Sequence, residues 1–417
     1  MKPSRHSTTI NYKLISNINL HRIVDKKNPF VLLSKAMNWL YLEKTFDNFY
    51  DSKIGRPAIS TRLMITLHFL RYAFDMSDRE ILRRWTENVY WQFFSGMDFM
   101  VYGLPIHHST MSAWRKRVGV CGIEKLVTQT IKVGLNLKLI DKKQLEDINI
   151  DTTIQEKFIH FPTDSRLYYD SIKKLIKTGK KIGIEFSEDY EKFSKYFKNQ
   201  LLRVANLKDL KKISKKLKNY LRKILNDFNS SNLIFTNKTK KIINLCTKVY
   251  LQKKRSKNKI YSLHAPEVEC ITKGKYKKKH KFGNKVCIAV TSLFGWIVAV
   301  KSFHGNPYDG HTLDQIIKKI DEDIKFVKNI YVDMGFKGHN YFGQIKVYFA
   351  QLYKKEIPDE LWRKIKRRSA IEPTIGHLKA EHRMNYNKLK GKIGDCINPI
   401  LSAAGMNFKK LINALSA

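Results

Sequence analysis

Residues 366–383 read KRRSAIEPTIGHLKAEHR, and the rest of the chain is organised around this stretch. Its spacing predicts one amphipathic helix. Ile371, Ile375 and Leu378 recur at helical intervals and would face a core. Ser369 stands where an N-cap belongs, and Glu372 follows three residues later, the capping-box interval. Arg368, Glu372 and Lys379 lie one turn and then two turns apart, so they share a second, charged face. On its own such a face is an ordinary solvated, ion-paired helix surface. Two strand carboxylates upstream, and the charge of the whole chain, make it a candidate site.

The chain has 417 residues and is 43% hydrophobic, which is a globular composition with room for more than one domain. Lysine and arginine number 79 against 37 acids, a net charge of +42 spread along most of the chain. A folded protein with that field attracts polyanions, of which nucleic acid is the usual one, with ribosome association and anionic membrane binding as the alternatives. The abundance of Lys, Ile and Asn also points to AT-rich coding, which inflates the charge. Cys121, Cys246, Cys270, Cys287 and Cys396 are scattered and form no C-x-x-C pair, so neither a zinc site nor a disulfide framework is expected. The N-terminus lacks an apolar signal region and no apolar run reaches membrane-span length, so a cytoplasmic protein with no membrane partner is expected.

The N-terminal part reads as helices. Ser60 caps TRLMITLHFLRYAF, with Leu63, Leu67, Leu70 and Phe74 on one stripe. Ser77 and Glu80 form a capping box that opens DREILRRWTENVYW. Ser109 caps TMSAWRKRVG, a short basic helix carrying Arg115, Lys116 and Arg117 and stopping at Gly119. Helix, tight turn, helix and then a basic helix is the helix-turn-helix layout, which makes those three residues candidate DNA contacts. Trp39, Trp85 and Trp91, in apolar surroundings, are core residues in this reading.

LEDINIDTTI at 145–154 alternates as a strand, with Ile148 and Ile150 on one face and Asn149, Asp151 and Thr153 on the other. Asp147 shares the polar face and competes with Asp151 for any role. From 165 to about 260 the chain is helical and lysine-rich, an insertion built as a hairpin or small bundle. Its lysines are either a solvated face or a DNA-facing surface. The basic run Lys273–Lys281 suggests a phosphate-contacting loop. KVCIAVTS and WIVAVKSF flank Leu293-Phe294-Gly295 as a hairpin, HGNPYDG is a loop, and a helix follows. In NIYVDMGFKG, Asp333 ends a strand on its polar side, a place where an aspartate commonly caps a turn. A further strand near 347–350 precedes the helix of Glu372.

Two strand aspartates and a helix glutamate can meet at one edge of a mixed sheet. Gathered there, they would repel one another unless a cation neutralised them. Hard oxygen ligands without Cys or clustered His suit Mg²⁺ or Mn²⁺. Arg368 and Lys379, beside Glu372, would offset or hold a phosphodiester.

The chain resembles bacterial insertion-sequence transposases of the DDE type, in the insertion-sequence five group. The resemblance is carried by DTTIQEKFIHFPTDSRLYY, YSLHAPEVECITKGK, HGNPYDGHTL, VDMGFKGH and RRSAIEPTIGHLKAEHR, with GRPAISTRLM and WTENVYWQFFSG in the N-terminal part. It implies an α/β fold with a ribonuclease H-like mixed-sheet catalytic core at 141–417, interrupted by the helical insertion, after a helical DNA-binding domain at 1–140. It also implies metal-dependent cleavage at element ends and strand transfer into target DNA. Asp151, Asp333 and Glu372 match the three acids and metal ligands, and Arg368, Glu372 and Lys379 match the Arg-x3-Glu-x6-Lys signature. The insertion-sequence four group has a Tyr three residues before that Arg; Ile365 stands there instead. Pairing two element ends calls for a homodimer on DNA. The reading from the binding class is a repressor or domesticated derivative without chemistry.

Overall fold

The computed structural model describes residues 18–51, 55, 57–190, 192–193, 196–197, 207–272, 280–350 and 357–416. They form two compact units, one made of 1–156 with 284–417 and the other of 157–283.

The first unit opens with helices α1 (Leu20–Ile23), α2 (Pro29–Ala36), α3 (Trp39–Asp47), α4 (Thr61–Ala73), α5 (Asp78–Thr86), α6 (Val89–Phe94) and α7 (His108–Asn136). Ser60 caps α4 by accepting from Leu63 N, and the Ser77–Glu80 capping box opens α5. The expected single stripe on α4 is replaced by burial nearly all round, polar Thr66 and His68 included. Trp85 and Trp91 are buried, and Trp39 packs against the same core. The short helix expected up to Gly119 is the first part of α7: it breaks at Gly119, which has φ 59° and ψ −161°, and a second helical part follows directly. The cap is His107, which accepts from Ser109 N, rather than Ser109.

Strand β1 (Asp147–Lys157) leads into the second unit. Helices α8 (Asp164–Ile182), α9 (Leu207–Ser230) and α10 (Asn237–Leu251) pack together there. The bundle has its own apolar core, including Leu175, Leu217, Leu221, Ile224, Phe228 and Val249. Each such side chain contributes about 1.5–3 kcal/mol on burial. Strand β2 (Glu269–Thr272) runs antiparallel to the first residues of β3 (His280–Thr291). Residues 273–279 of the expected phosphate loop lie outside the described residues.

Back in the first unit, β3 pairs antiparallel with β4 (Ile297–Phe303) through a tight turn at Phe294 and Gly295. Helix α11 (Gly310–Asp323) follows, then strands β5 (Asn329–Val332) and β6 (Lys346–Phe349). The sheet order is β3-β1-β5-β6, with β5 parallel to both of its neighbours. The result is a mixed sheet with helices around it. The stretch at 366–383 is not one helix. It consists of the end of α12 (Asp359–Lys366), a 3-10 turn at Arg367–Ala370, and α13 (Ile371–Ala380). Ser369 caps nothing; its hydroxyl donates to Lys366 O. Because Ala370 is already helical, the chain enters α13 from a preceding turn whose carbonyls serve its first N–H groups. After the short β7 (Tyr386–Asn387), α14 (Gly391–Ser416) packs on α7, α4 and β4. Asn407 accepts from Ile297 N and donates to Ile297 O and Thr130 Oγ1, tying α14 to both β4 and α7. Gly405 permits the close crossing with α4, since a Cβ there would lie 2.4 Å from Tyr72 Cβ. One apolar core therefore runs from Leu20 to Ile412 across the expected boundary at 140/141.

Candidate active site

Asp147, Asn149, Asp151 and Thr153 alternate along one face of β1. Each of them meets the segment 364–379. Lys364 Nζ stands 3.0 Å from Asp147 Oδ2. Asn149 Nδ2 donates to Arg367 O at 3.2 Å. Arg368 lies 3.7 Å from Asp151 Oδ2. Lys379 Nζ donates to Thr153 Oγ1 at 2.6 Å. The polar face of one strand is thus laid along the charged face of one helical segment, and that seam fixes where the acids sit.

Asp147 and Asp151 have different partners. Asp147 Oδ1 accepts from Asn329 Nδ2 and from the Tyr331 hydroxyl, both at 2.9 Å, while Oδ2 faces Lys364. Burial, and then the hydrogen bond to Asp147, push the Tyr331 hydroxyl pKa up; the Asp147 bond likewise raises that of Lys364. Asp147 is an internal brace. Asp151 Oδ1 accepts from Thr152 N at 2.7 Å, and Oδ2 faces Arg368.

Asn149 pairs with Tyr331 across the parallel strands β1 and β5, the last pair of that register. Asp151 follows two residues on in β1, and Asp333 stands just past the end of β5 at Val332. Asp333 also caps the 3-10 turn Met334–Phe336, its Oδ1 accepting from Gly335 N at 3.0 Å. Glu372, in the first turn of α13, is 66% exposed and 3.9 Å from Arg368, so one guanidinium stands between Asp151 and Glu372. Among the described residues, no three His, Cys, Asp or Glu side chains are gathered as a ready metal-binding group.

A fourth carboxylate belongs to this neighbourhood, and sequence reading passed over it. Asp309, in the HGNPYDG loop, is at the N-cap of α11 yet makes no cap hydrogen bond. Its Oδ1 accepts from Thr152 Oγ1 at 2.9 Å and from Lys285 Nζ at 2.8 Å. A Cβ placed on Gly335 would meet Asp333 Oδ1 at 3.0 Å and Asp309 Oδ2 at 3.5 Å, so glycine at 335 lets the two acids converge. The buried Cys287 thiol, raised first by desolvation, also feels the charges of Asp151 and Asp309. The only available signal was an aspartate between turn residues, which normally means a local cap.

The N-terminal candidates separate. Arg115 is 4% exposed and pairs bidentately with Asp78, so the fold itself occupies it. It is not available to DNA, contrary to expectation. Lys116 and Arg117 are exposed on α7, with Arg117 over the Tyr50 ring at 4.9 Å.

The chain is similar to known proteins in two regions. Residues 18–117 match the family described as Transposase domain (DUF772), and residues 265–393 match the Transposase DDE domain. The second match contains Lys285, Asp309, Asp333, Arg368, Glu372 and Lys379. A Rhizobium meliloti protein described as uncharacterized protein ORF8 in the nfe locus is 40% identical over 195 residues, covering 47% of this chain and 93% of that protein. No solved structure matches the chain. With both transposase regions in one polypeptide, the chain belongs to the DDE transposases of insertion elements.

Proposed function

We propose that this transposase, of the insertion-sequence five group, binds the terminal inverted repeats of its element as double-stranded DNA. It cuts the strands at the element ends and joins them to target DNA on a ribonuclease H-like core. What supports the reading is that Asp151 and Asp333 both follow the paired residues Asn149 and Tyr331 at the same end of β1 and β5, with Arg368 within 4 Å of both Asp151 and Glu372.

The donors are hard carboxylate oxygens, which suit Mg²⁺ or Mn²⁺. Mg²⁺ takes one or two carboxylates and fills its other positions with water and phosphate, so a closed protein cage is not required. Asp151, Asp333 and Glu372 would hold the ions. Bound there, ions supply positive charge to the attacking and leaving oxygens of an in-line displacement. Without DNA, Arg368 offsets the repulsion between Asp151 and Glu372. With DNA its planar fork can turn to a phosphate, which it matches bidentately. Lys379, anchored on Thr153, adds a second cation over the same strand. Lys116 and Arg117 contact backbone phosphates. Pairing two ends requires two such sites, hence a homodimer on DNA, which would hold the protein at the nucleoid.

Asp333→Asn tests the proposal against a DNA binder without chemistry. On a duplex carrying the element's own ends, the variant should bind as the parent does and fail to cleave in Mg²⁺. Cleavage at the parental rate, or a parent protein that never cuts such ends, would reject the catalytic reading.

A further inference from the structure

The strongest feature outside the site is the outer face of α9. Lys208, Lys211, Lys212, Lys215, Lys216 and Arg222 are all exposed. Their spacing places them on one side of the helix, over about 21 Å of its length. The opposite side is buried, with Ile213, Leu217, Leu221, Ile224 and Phe228 in the core of the second unit. Among the described residues, these cations have no ion pair or hydrogen bond. On α11, by contrast, Lys318 pairs with Asp314 and Lys319 with Glu124.

Like charges one turn apart destabilise a helix. Lys208 and Lys212, Lys211 and Lys215, and Lys212 and Lys216 are such pairs. A solvated surface helix relieves this repulsion by interleaving acids; here the six cations share their side of the helix with one acid, Asp209, while their neighbour Lys223 pairs with Glu188. A polyanion relieves it from outside. Duplex DNA presents one charge per ~1.7 Å of its axis, dense enough to meet every turn of α9. The face carries no exposed aromatic or apolar anchor at these positions, which favours backbone phosphates over an acidic protein surface.

We propose that the outer face of α9 is a sequence-independent docking surface for the phosphate backbone of double-stranded DNA. The inference rests on the DNA-acting reading above and assigns the lysine-rich insertion a part in it. Affinity carried by such a face is read as salt dependence, each phosphate contact adding about 0.9 to the slope of log K against log salt.

The test uses the full-length protein with Lys211, Lys212, Lys215 and Lys216 changed to Gln, and a companion with the same four changed to Arg. Affinity for a 40-base-pair duplex is followed by fluorescence anisotropy from 50 to 200 mM KCl. The Gln variant should show a slope shallower by roughly 2–4 and at least tenfold weaker binding at 150 mM salt. The Arg variant should behave as the parent, and both should keep the parental circular dichroism. A Gln variant with parental slope and affinity overturns this inference alone. So does loss of binding to anionic vesicles with DNA binding intact. A parent protein that binds no duplex at all overturns both this inference and the proposed function.

Discussion

In the helical part of the first unit, Arg71 and Arg115 close on Asp78 from two sides, with Arg115 Nη2 at 2.6 Å and both arginines buried. Beside β1, one guanidinium, Arg368, stands 3.7 Å from Asp151 and 3.9 Å from the exposed Glu372. The first cluster has two cations on one acid; the second has one cation between two acids. Burial would raise the Asp78 pKa, but Arg71 and Arg115 hold it down at about 2. His68 completes that cluster: its Nδ1 meets Met64 O and its Nε2 meets Arg115. Burial, then the charge of Arg115, lower its pKa to about 3. The same residue types therefore brace a core in one place and leave an exposed acid, Glu372, at the end of a long ion contact in the other. An exposed acid of that kind can accept a cation, and its arginine can turn to a phosphate.

The sharpest way to break this contrast is to remove one arginine from each cluster. Arg115→Ala leaves Asp78 to Arg71 alone, and loss of one charge-assisted, largely buried partner costs roughly 1.5–3 kcal/mol. Urea unfolding should register that loss, with DNA-end cleavage falling only as folded protein falls. Gly335→Ala comes next. Its methyl would press between Asp333 and Asp309, and a misplacement of that kind costs on the order of a hundredfold in rate. Single-turnover cleavage should fall by that much with the melting temperature nearly unchanged.

Acid should find the first cluster before the second. His68 stays neutral in the fold down to about pH 3 but gains a proton near pH 6.5 when unfolded. The unfolded state thus binds more protons across that window, and stability falls as pH drops from 6.5 toward 3. Asp78 adds to the fall between about pH 4 and 2, as its carboxylate becomes protonated. Each group contributes at most about 1.4 kcal/mol per pH unit. Denaturation at stepped pH should show the slope, and His68→Gln should flatten its upper part. The smallest effect is expected for Arg368→Ala on stability, under about 1 kcal/mol, because its ion contacts are long. Equal destabilisation by Arg115→Ala and Arg368→Ala would erase the distinction between the clusters.

What was legible in the sequence was local. The alternation at 147–153, the caps at Ser60 and Ser77, and the shared face of Arg368, Glu372 and Lys379 depend on short-range periodicity. The structure keeps all of them. What was missed depends on partners distant in sequence. Arg115 reads as a surface cation until Asp78, 37 residues earlier, closes on it. Asp309 reads as a helix cap until Lys285 and Thr152 claim its oxygen. Ser369 reads as a cap until α12 supplies a helical turn ahead of it. The all-round burial of α4 follows from α14, more than 300 residues downstream, packing against it.

The central claim is that Asp151, Asp333 and Glu372 serve one set of ions. Replacing Mg²⁺ by Fe²⁺ in the complex with element-end DNA, then adding ascorbate and peroxide, cuts the polypeptide beside bound iron. Backbone scission should appear near residues 151, 333 and 372 together, and excess Mg²⁺ should suppress all three cuts in parallel. Cuts at one of these places without the other two, or cuts that Mg²⁺ leaves untouched, would contradict a shared site.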